Sequence, residues 1–206
     1  MNLLDKVRAG FLKVAGYFIP ILQSIPSLGV WTGLMTVPFI TYLIFFFASL
    51  PSRLIEVLFD IGFWILIIGL LPLAYSIAYQ SIKKKGGLVT TGPYRWVRHP
   101  QYLIIIFLTM MLTVWSYWFL THTFGIGFLS PSETISLWFL QLFAYVILAK
   151  IEELYLSKKF GTTYEDYRNQ VPFLIPFLKT DKEYVDVSVS ILLLAVILFA
   201  IIIVIP

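Results

Sequence analysis

The stretch Gly92-Pro-Tyr-Arg-Trp-Val-Arg-His-Pro-Gln-Tyr102 runs straight into Leu103-Ile-Ile-Ile-Phe-Leu-Thr-Met-Met-Leu-Thr-Val-Trp-Ser-Tyr-Trp-Phe-Leu120. The second part is apolar enough and long enough to cross a bilayer. The first part is not an ordinary loop, which would favour Ser, Asn and Gly. Pro100 suits the first position of a helix, where its missing N–H leaves nothing unsatisfied. His99 precedes a proline, is biased toward extended backbone, and stands at or near the N-cap. A helix that begins there presents free N–H groups and partial positive charge, for which an anion is the natural ligand. Arg95 and Arg98 add charge, and Tyr94, Trp96 and Tyr102 add flat surfaces at headgroup depth. A belt of interfacial aromatics with basic anchors accounts for Trp96 and Arg95. It does not account for His99-Pro100-x-Tyr102.

Composition extends the reading to the whole chain. Of 206 residues, 59% are hydrophobic and 13% charged, and the mean hydropathy is +0.88. These values describe an integral membrane protein. Residues 30–50, 61–80, 102–120 and 187–206 each read as a membrane span, and 134–149 is a shorter fifth that continues as helix through Leu156. Residues 1–29, whose apolar run is broken by Lys13, Gly16, Pro20 and Pro26, read as an interfacial or re-entrant segment. Of the 15 lysines and arginines, all but Arg53 fall on one side of such a bundle. By the positive-inside pattern that side is cytoplasmic, with the N-terminus in and the C-terminus out. The basic balance therefore reflects topology, and no nucleic acid partner is expected. With no cysteine and two histidines, no metal is expected either.

Two polar segments, residues 81–101 and 150–182, face the same compartment and join the two ends of the hairpin formed by the third and fourth spans. A site can form where they meet. Gly86-Gly87-Leu88-Val89 suits backbone that approaches a ligand closely. Glu152 and Glu153 end the fourth span, where a carboxylate is expensive unless it reaches water or a partner. Glu153 reads as a solvated face residue, and Glu152, about 100° around the helix, turns toward the bundle. Gly161 reads as a helix C-cap. Thr162-Thr163-Tyr164-Glu165 reads as a capping box that opens a short helix ending before Pro172. Val171-Pro172-Phe173-Leu174-Ile175-Pro176 then returns to the membrane surface. A carboxylate for sugar hydroxyls, an anion-binding helix start, glycines and an apolar-aromatic cradle together suit S-adenosylmethionine, which has a ribose, an adenine and a carboxylate.

At these residues the chain resembles the isoprenylcysteine carboxyl methyltransferase family and the related phospholipid N-methyltransferases. The resemblance rests on Leu88-Val89-Thr90-Thr91-Gly92-Pro93-Tyr94, Arg98-His99-Pro100-Gln101-Tyr102, Glu152-Glu153, Phe160-Gly161-x-x-Tyr164-x-x-Tyr167 and Val171-Pro172. It implies S-adenosylmethionine bound at the cytoplasmic face. Gly87, Leu88, Val89 and Tyr94 would contact the cofactor, His99, Pro100 and Tyr102 would hold its methionine part, and Glu152 its ribose or adenosine side. Two features depart from the family pattern. Where the eukaryotic carboxyl methyltransferases carry an arginine for the substrate carboxylate, one turn before the first Glu, this chain has Leu148. It also adds a span after the matching region.

The expected fold class is an all-α integral membrane protein of about five transmembrane helices, forming one domain over 1–206. Its methyltransferase-like region would span 86–176, with 187–206 an extra C-terminal helix. The cofactor pocket would face the cytoplasm from the C-terminal half, beside the lipid bilayer that delivers a lipophilic membrane substrate. Arg98, His99 and Glu153 are the candidate catalytic residues. Three other readings are phospholipid or amine N-methylation, a membrane sterol-type reductase using a reduced nicotinamide cofactor, and a small transporter or structural subunit. A transporter usually buries charge within its spans, and Asp60 is the only carboxylate near a span interior.

Overall fold

A computed structural model describes residues 27–49, 63–84, 87–122, 129–180 and 182–204. Among them there are helices and no strand: α1 (Ser27–Ser49), α2 (Phe63–Lys83), α3 (Pro100–His122), α4 (Pro131–Phe160), α5 (Thr162–Gln170) and α6 (Glu183–Val204). A short 3₁₀ turn, Gly92–Arg95, precedes α3. The expectations for residues 1–26, Asp60, Gly86 and Pro206 lie outside the described residues. Three helices, α3, α4 and α6, are long and apolar enough to cross a membrane. Ile68, Leu140 and Ile203 point outward and are more than half exposed, as side chains facing lipid would be. The chain is a membrane protein.

Local chemistry explains where the helices start and stop. Helix α3 begins at Pro100, and the His99 carbonyl accepts the N–H of Leu103 at 3.1 Å, the bond that opens the helix. Helix α4 begins earlier than residue 134. Ser130 Oγ accepts the Glu133 N–H at 3.3 Å, and Glu133 Oε2 accepts the Ser130 N–H at 2.7 Å, a reciprocal capping box with Pro131 in the first turn. From there α4 runs unbroken for 30 residues, so its apolar span and the Glu152–Glu153 pair share one helix. Gly161, at φ 54°, ends it.

The capping box expected at Thr162–Glu165 does not form. The chain passes from α4 into α5 through Gly161 alone, whose carbonyl accepts both the Tyr164 and the Glu165 N–H. Thr162 is thereby already inside the helix. In the segment after α5, Val171, Pro172, Phe173 and Leu174 are buried, with Phe173 and Leu174 in the main core.

Helix α3 occupies the centre of the bundle, packed against α1, α2, α4 and α6. Hydrogen bonds tie it to its neighbours. The Tyr42 hydroxyl donates to the Thr109 carbonyl at 3.0 Å, and Trp138 Nε1 donates to the Ile106 carbonyl at 3.2 Å. The Tyr145 hydroxyl links α4 to α1 through the Met35 carbonyl at 2.8 Å. Such bonds contribute about 0.6 kcal/mol each within a bilayer, and the close packing of small residues adds to them. Gly69 is one such residue: a Cβ there would meet Leu108 Cδ2 at 2.1 Å, so α2 and α3 approach each other at that point. This bundle fixes the start of α3 beside the end of α4, where the chemistry gathers.

Candidate active site

A cavity of about 310 Å³ opens where α2, the turn before α3, the start of α3, the end of α4 and α5 converge. Gly87, Leu88, Val89, Tyr94, Arg98, His99, Tyr102 and Glu152 all line it. Of the candidate residues, Pro100 and Glu153 do not: Pro100 opens α3 and Glu153 lies behind Arg98 and His99. Gly87 adopts φ 118°, a backbone region that disfavours a side chain, at the edge of the cavity. Residues that sequence reasoning did not single out also line it, among them Gln80, Tyr155 and Lys159. Periodicity gives no sign of them, because they belong to polar helix ends whose partners are distant in sequence. Tyr164 and Tyr167, which stood in the resemblance without an assigned role, line it as well.

The polar side chains are cross-linked. The Tyr102 hydroxyl donates to Glu152 Oε2 at 3.1 Å. The Tyr94 hydroxyl donates to Gln101 Oε1 at 3.1 Å, and the Tyr167 hydroxyl donates to the Tyr94 carbonyl at 2.7 Å. Burial pushes the Tyr94, Tyr164 and Tyr167 phenols well above their ordinary value, so all three remain donors. Burial, reinforced by Lys159 and opposed by Glu152, draws Lys84 below its ordinary value.

Behind the cavity wall lies a buried ion network. Arg98 Nη1 is 2.6 Å from Glu153 Oε1, and Nη2 is 3.3 Å from Asp186 Oδ2. Lys150 Nζ is 2.6 Å from Glu153 Oε2 and also contacts Glu183. Glu153 is therefore not a solvated face residue. It is 4% exposed, because the basic residues that face it, Arg98 and His99 just before α3 and Lys150 on α4, pair with it. Arg98 has its terminal nitrogens committed to carboxylates, and its backbone N–H donates to the Pro172 carbonyl at 3.0 Å. It holds the loop. Arg95 is exposed at the end of the 3₁₀ turn.

His99 joins cavity and network. Its Nε2 lies 3.3 Å from Glu153 Oε1 and its Nδ1 3.5 Å from Glu152 Oε2. The ring stacks on Tyr102 at 5.4 Å and takes the edge of Phe173. Burial disfavours the imidazolium, but Glu152 and Glu153 outweigh it and hold His99 above its ordinary value. A raised value stabilises the fold fully below the unfolded value of about 6.5 and loses that contribution as pH rises through the folded one. The melting temperature of the detergent-solubilised protein is thus expected to fall as pH rises above about 6.5. His99→Gln should flatten this dependence. A wild-type and variant pair with identical pH profiles would remove the charged imidazole from the account.

The isoprenylcysteine carboxyl methyltransferase (ICMT) family model matches residues 57–156. This region, just under half of the chain, is similar to that family. It contains the glycine turn, the start of α3 and the Glu152–Glu153 pair, while Phe160–Tyr167 and Val171-Pro172 lie beyond the match. No curated protein and no solved structure matches the chain. The family is one of methyltransferases. The Tyr164 hydroxyl and Arg98 Nε, on residues lining the cavity, are buried without a hydrogen-bond partner among the described residues. Such donors suit a ligand rich in acceptors. Glu152 supplies an acceptor for hydroxyls, and Leu88, Val89 and Leu156 supply apolar surface.

Proposed function

We propose that the protein is a multi-pass membrane methyltransferase that uses S-adenosylmethionine to methylate a lipophilic acceptor entering from the bilayer. The observation that carries this reading is the convergence of Gly87–Val89, Tyr94, His99, Tyr102 and Glu152 on one cavity. In this reading α1 and α2 also span the bilayer, giving five spans with the N-terminus and the cavity cytoplasmic, and 86–176 is the catalytic region of a single domain. Glu152 would hold the ribose hydroxyls, Gly87–Val89 and Tyr94 the adenosine, and His99, Pro100 and Tyr102 the methionine part. Bound there, the cofactor supplies an electrophilic methyl group on a sulfonium. The chain's own contribution is alignment and exclusion of water, which suits an acceptor that needs positioning more than activation. Where the acceptor is an amine, His99, which lines the cavity, would take the proton it releases, whereas Glu153 lies behind it and is paired with Arg98 and Lys150.

The acceptor differs from that of the carboxyl methyltransferases in what it can meet on α4. Leu148 brings no charge, and Lys150 is occupied by Glu153 and Glu183. That favours an amine or phospholipid headgroup over a prenylated carboxylate held by an α4 cation. Lys84 and Lys159 at the cavity keep the reductase reading in the comparison, since they are cations of the kind a nicotinamide cofactor's extra phosphate would need. Isothermal titration of the detergent-solubilised protein with S-adenosylhomocysteine and with reduced nicotinamide nucleotides separates the two. The methyltransferase reading expects binding of the first only, and binding of the nicotinamide nucleotides alone would replace it. In the same titration Arg98→Ala should weaken S-adenosylhomocysteine at least about tenfold, as loss of a charged hydrogen bond does. Arg95→Ala, at an exposed position, should leave it nearly unchanged. Equal effects would mean that Arg98 holds the fold and not the cofactor.

A further inference from the structure

Helix α6 lies beyond the family match and is apolar along most of its length, yet its first turns carry Glu183 and Asp186. Asp186 is fully buried. A buried carboxylate on such a helix is expensive unless it is paired. The helix N-terminus favours it, and its partners are specific. Asp186 Oδ2 lies 3.3 Å from Arg98 Nη2 and accepts the backbone N–H of Phe173 at 3.2 Å. Lys179 Nζ stands 3.6 Å away. Packing of α6 needs none of this, because Leu194 and Leu198 already join the main core.

Both contacts lead to the imidazole at the cavity. One path runs from Asp186 through the Arg98 guanidinium to Glu153 Oε1, and from there to His99 Nε2. The other runs through the Phe173 backbone to its ring, whose centroid lies 5.4 Å from that of the His99 ring in an edge-to-face arrangement. A guanidinium held at Glu153 alone can swing about that one contact. Held at Glu153 and Asp186 it has one orientation, and the Glu153 oxygen facing His99 has one position.

We propose that Asp186 is a positioning residue of the cofactor site: it fixes Arg98 and Phe173 and, through them, Glu153 and His99, which makes the C-terminal helix part of the active site. This rests on the methyltransferase reading of the cavity. Asp186→Asn keeps the shape and an acceptor for the Phe173 N–H while removing the charge that holds Arg98. It should weaken S-adenosylhomocysteine binding by about tenfold, the order for a lost charged hydrogen bond. The double variant Arg98→Gln/Asp186→Asn should bind no more weakly than Arg98→Gln alone, because Asp186 acts through the group already removed. Leu194→Ala, which loosens α6 without touching the ions, should lower the melting temperature yet leave affinity within about twofold of wild type, being an independent site.

Wild-type protein that does not bind S-adenosylhomocysteine would overturn the methyltransferase reading and this inference with it. Wild-type binding, combined with an Asp186→Asn affinity within twofold of it or with losses that multiply in the double variant, would overturn the positioning role and leave the methyltransferase reading standing. Should Asp186→Asn fail to fold, Arg98→Gln and the double variant still decide. Equal or better binding by the double variant supports the role, and a further drop overturns it.

Discussion

Glu153→Ala is expected to destabilise the protein by about 3–5 kcal/mol, the usual consequence of removing one partner from a buried ion pair. The carboxylate faces Arg98, His99 and Lys150 at once. Its loss leaves Arg98 with Asp186 alone as a close partner and takes from Lys150 one of its two carboxylates. For a chain of this length the change corresponds to a drop in melting temperature of about 6–20 °C. Glu153→Gln preserves shape and one acceptor oxygen, so its effect should be smaller. A melting temperature within about 2 °C of wild type for Glu153→Ala would mean that the network does not hold the fold, and that the solvated reading of this residue was the better one.

Glu152→Ala should show the opposite profile. Its carboxylate lines the cavity and accepts from Tyr102, and among the described residues only the more distant His99 Nδ1 adds to its pairing. Loss of a charged hydrogen bond to the cofactor's hydroxyls weakens S-adenosylhomocysteine by about 1.5–3 kcal/mol, roughly 10- to 150-fold. The melting temperature without ligand should move much less than in Glu153→Ala. Neighbouring glutamates on one helix would then divide into a ligand contact and a structural counter-ion, about 100° apart around the helix. If both variants lost stability and affinity in the same proportion, that division would be wrong, and the pair would have to be treated as one acidic patch.

The two acids also show why His99 cannot be assigned from its own surroundings in the sequence. Next to Pro100 it is a helix-start residue. In the fold it is a basic group between a cavity carboxylate and a buried one, stacked on Tyr102. Its protonation therefore answers to Arg98 and Lys150, which share Glu153, and to Asp186, which shares Arg98.

What the sequence determined by itself is everything set by neighbours along the chain. Apolar length marks α3, α4 and α6, Pro100 marks the start of α3, Gly161 marks the end of α4, and Pro172 follows the end of α5, because hydropathy and capping act within a few residues. The motifs from Gly87 to Glu152 were legible for a similar reason: each is a short run with its own backbone or charge requirement. Tertiary structure decided which charges meet. Arg98 and Asp186 are 88 positions apart, and no periodicity links them. Only the packing of α6 against α3 buries both and makes each the other's partner. The packing of the whole bundle likewise turned Glu153 inward, drew Phe173 and Leu174 into the core and brought Lys84 and Lys159 to one cavity. Burial of a charge depends on where its counter-charge arrives, and that is a property of the folded bundle.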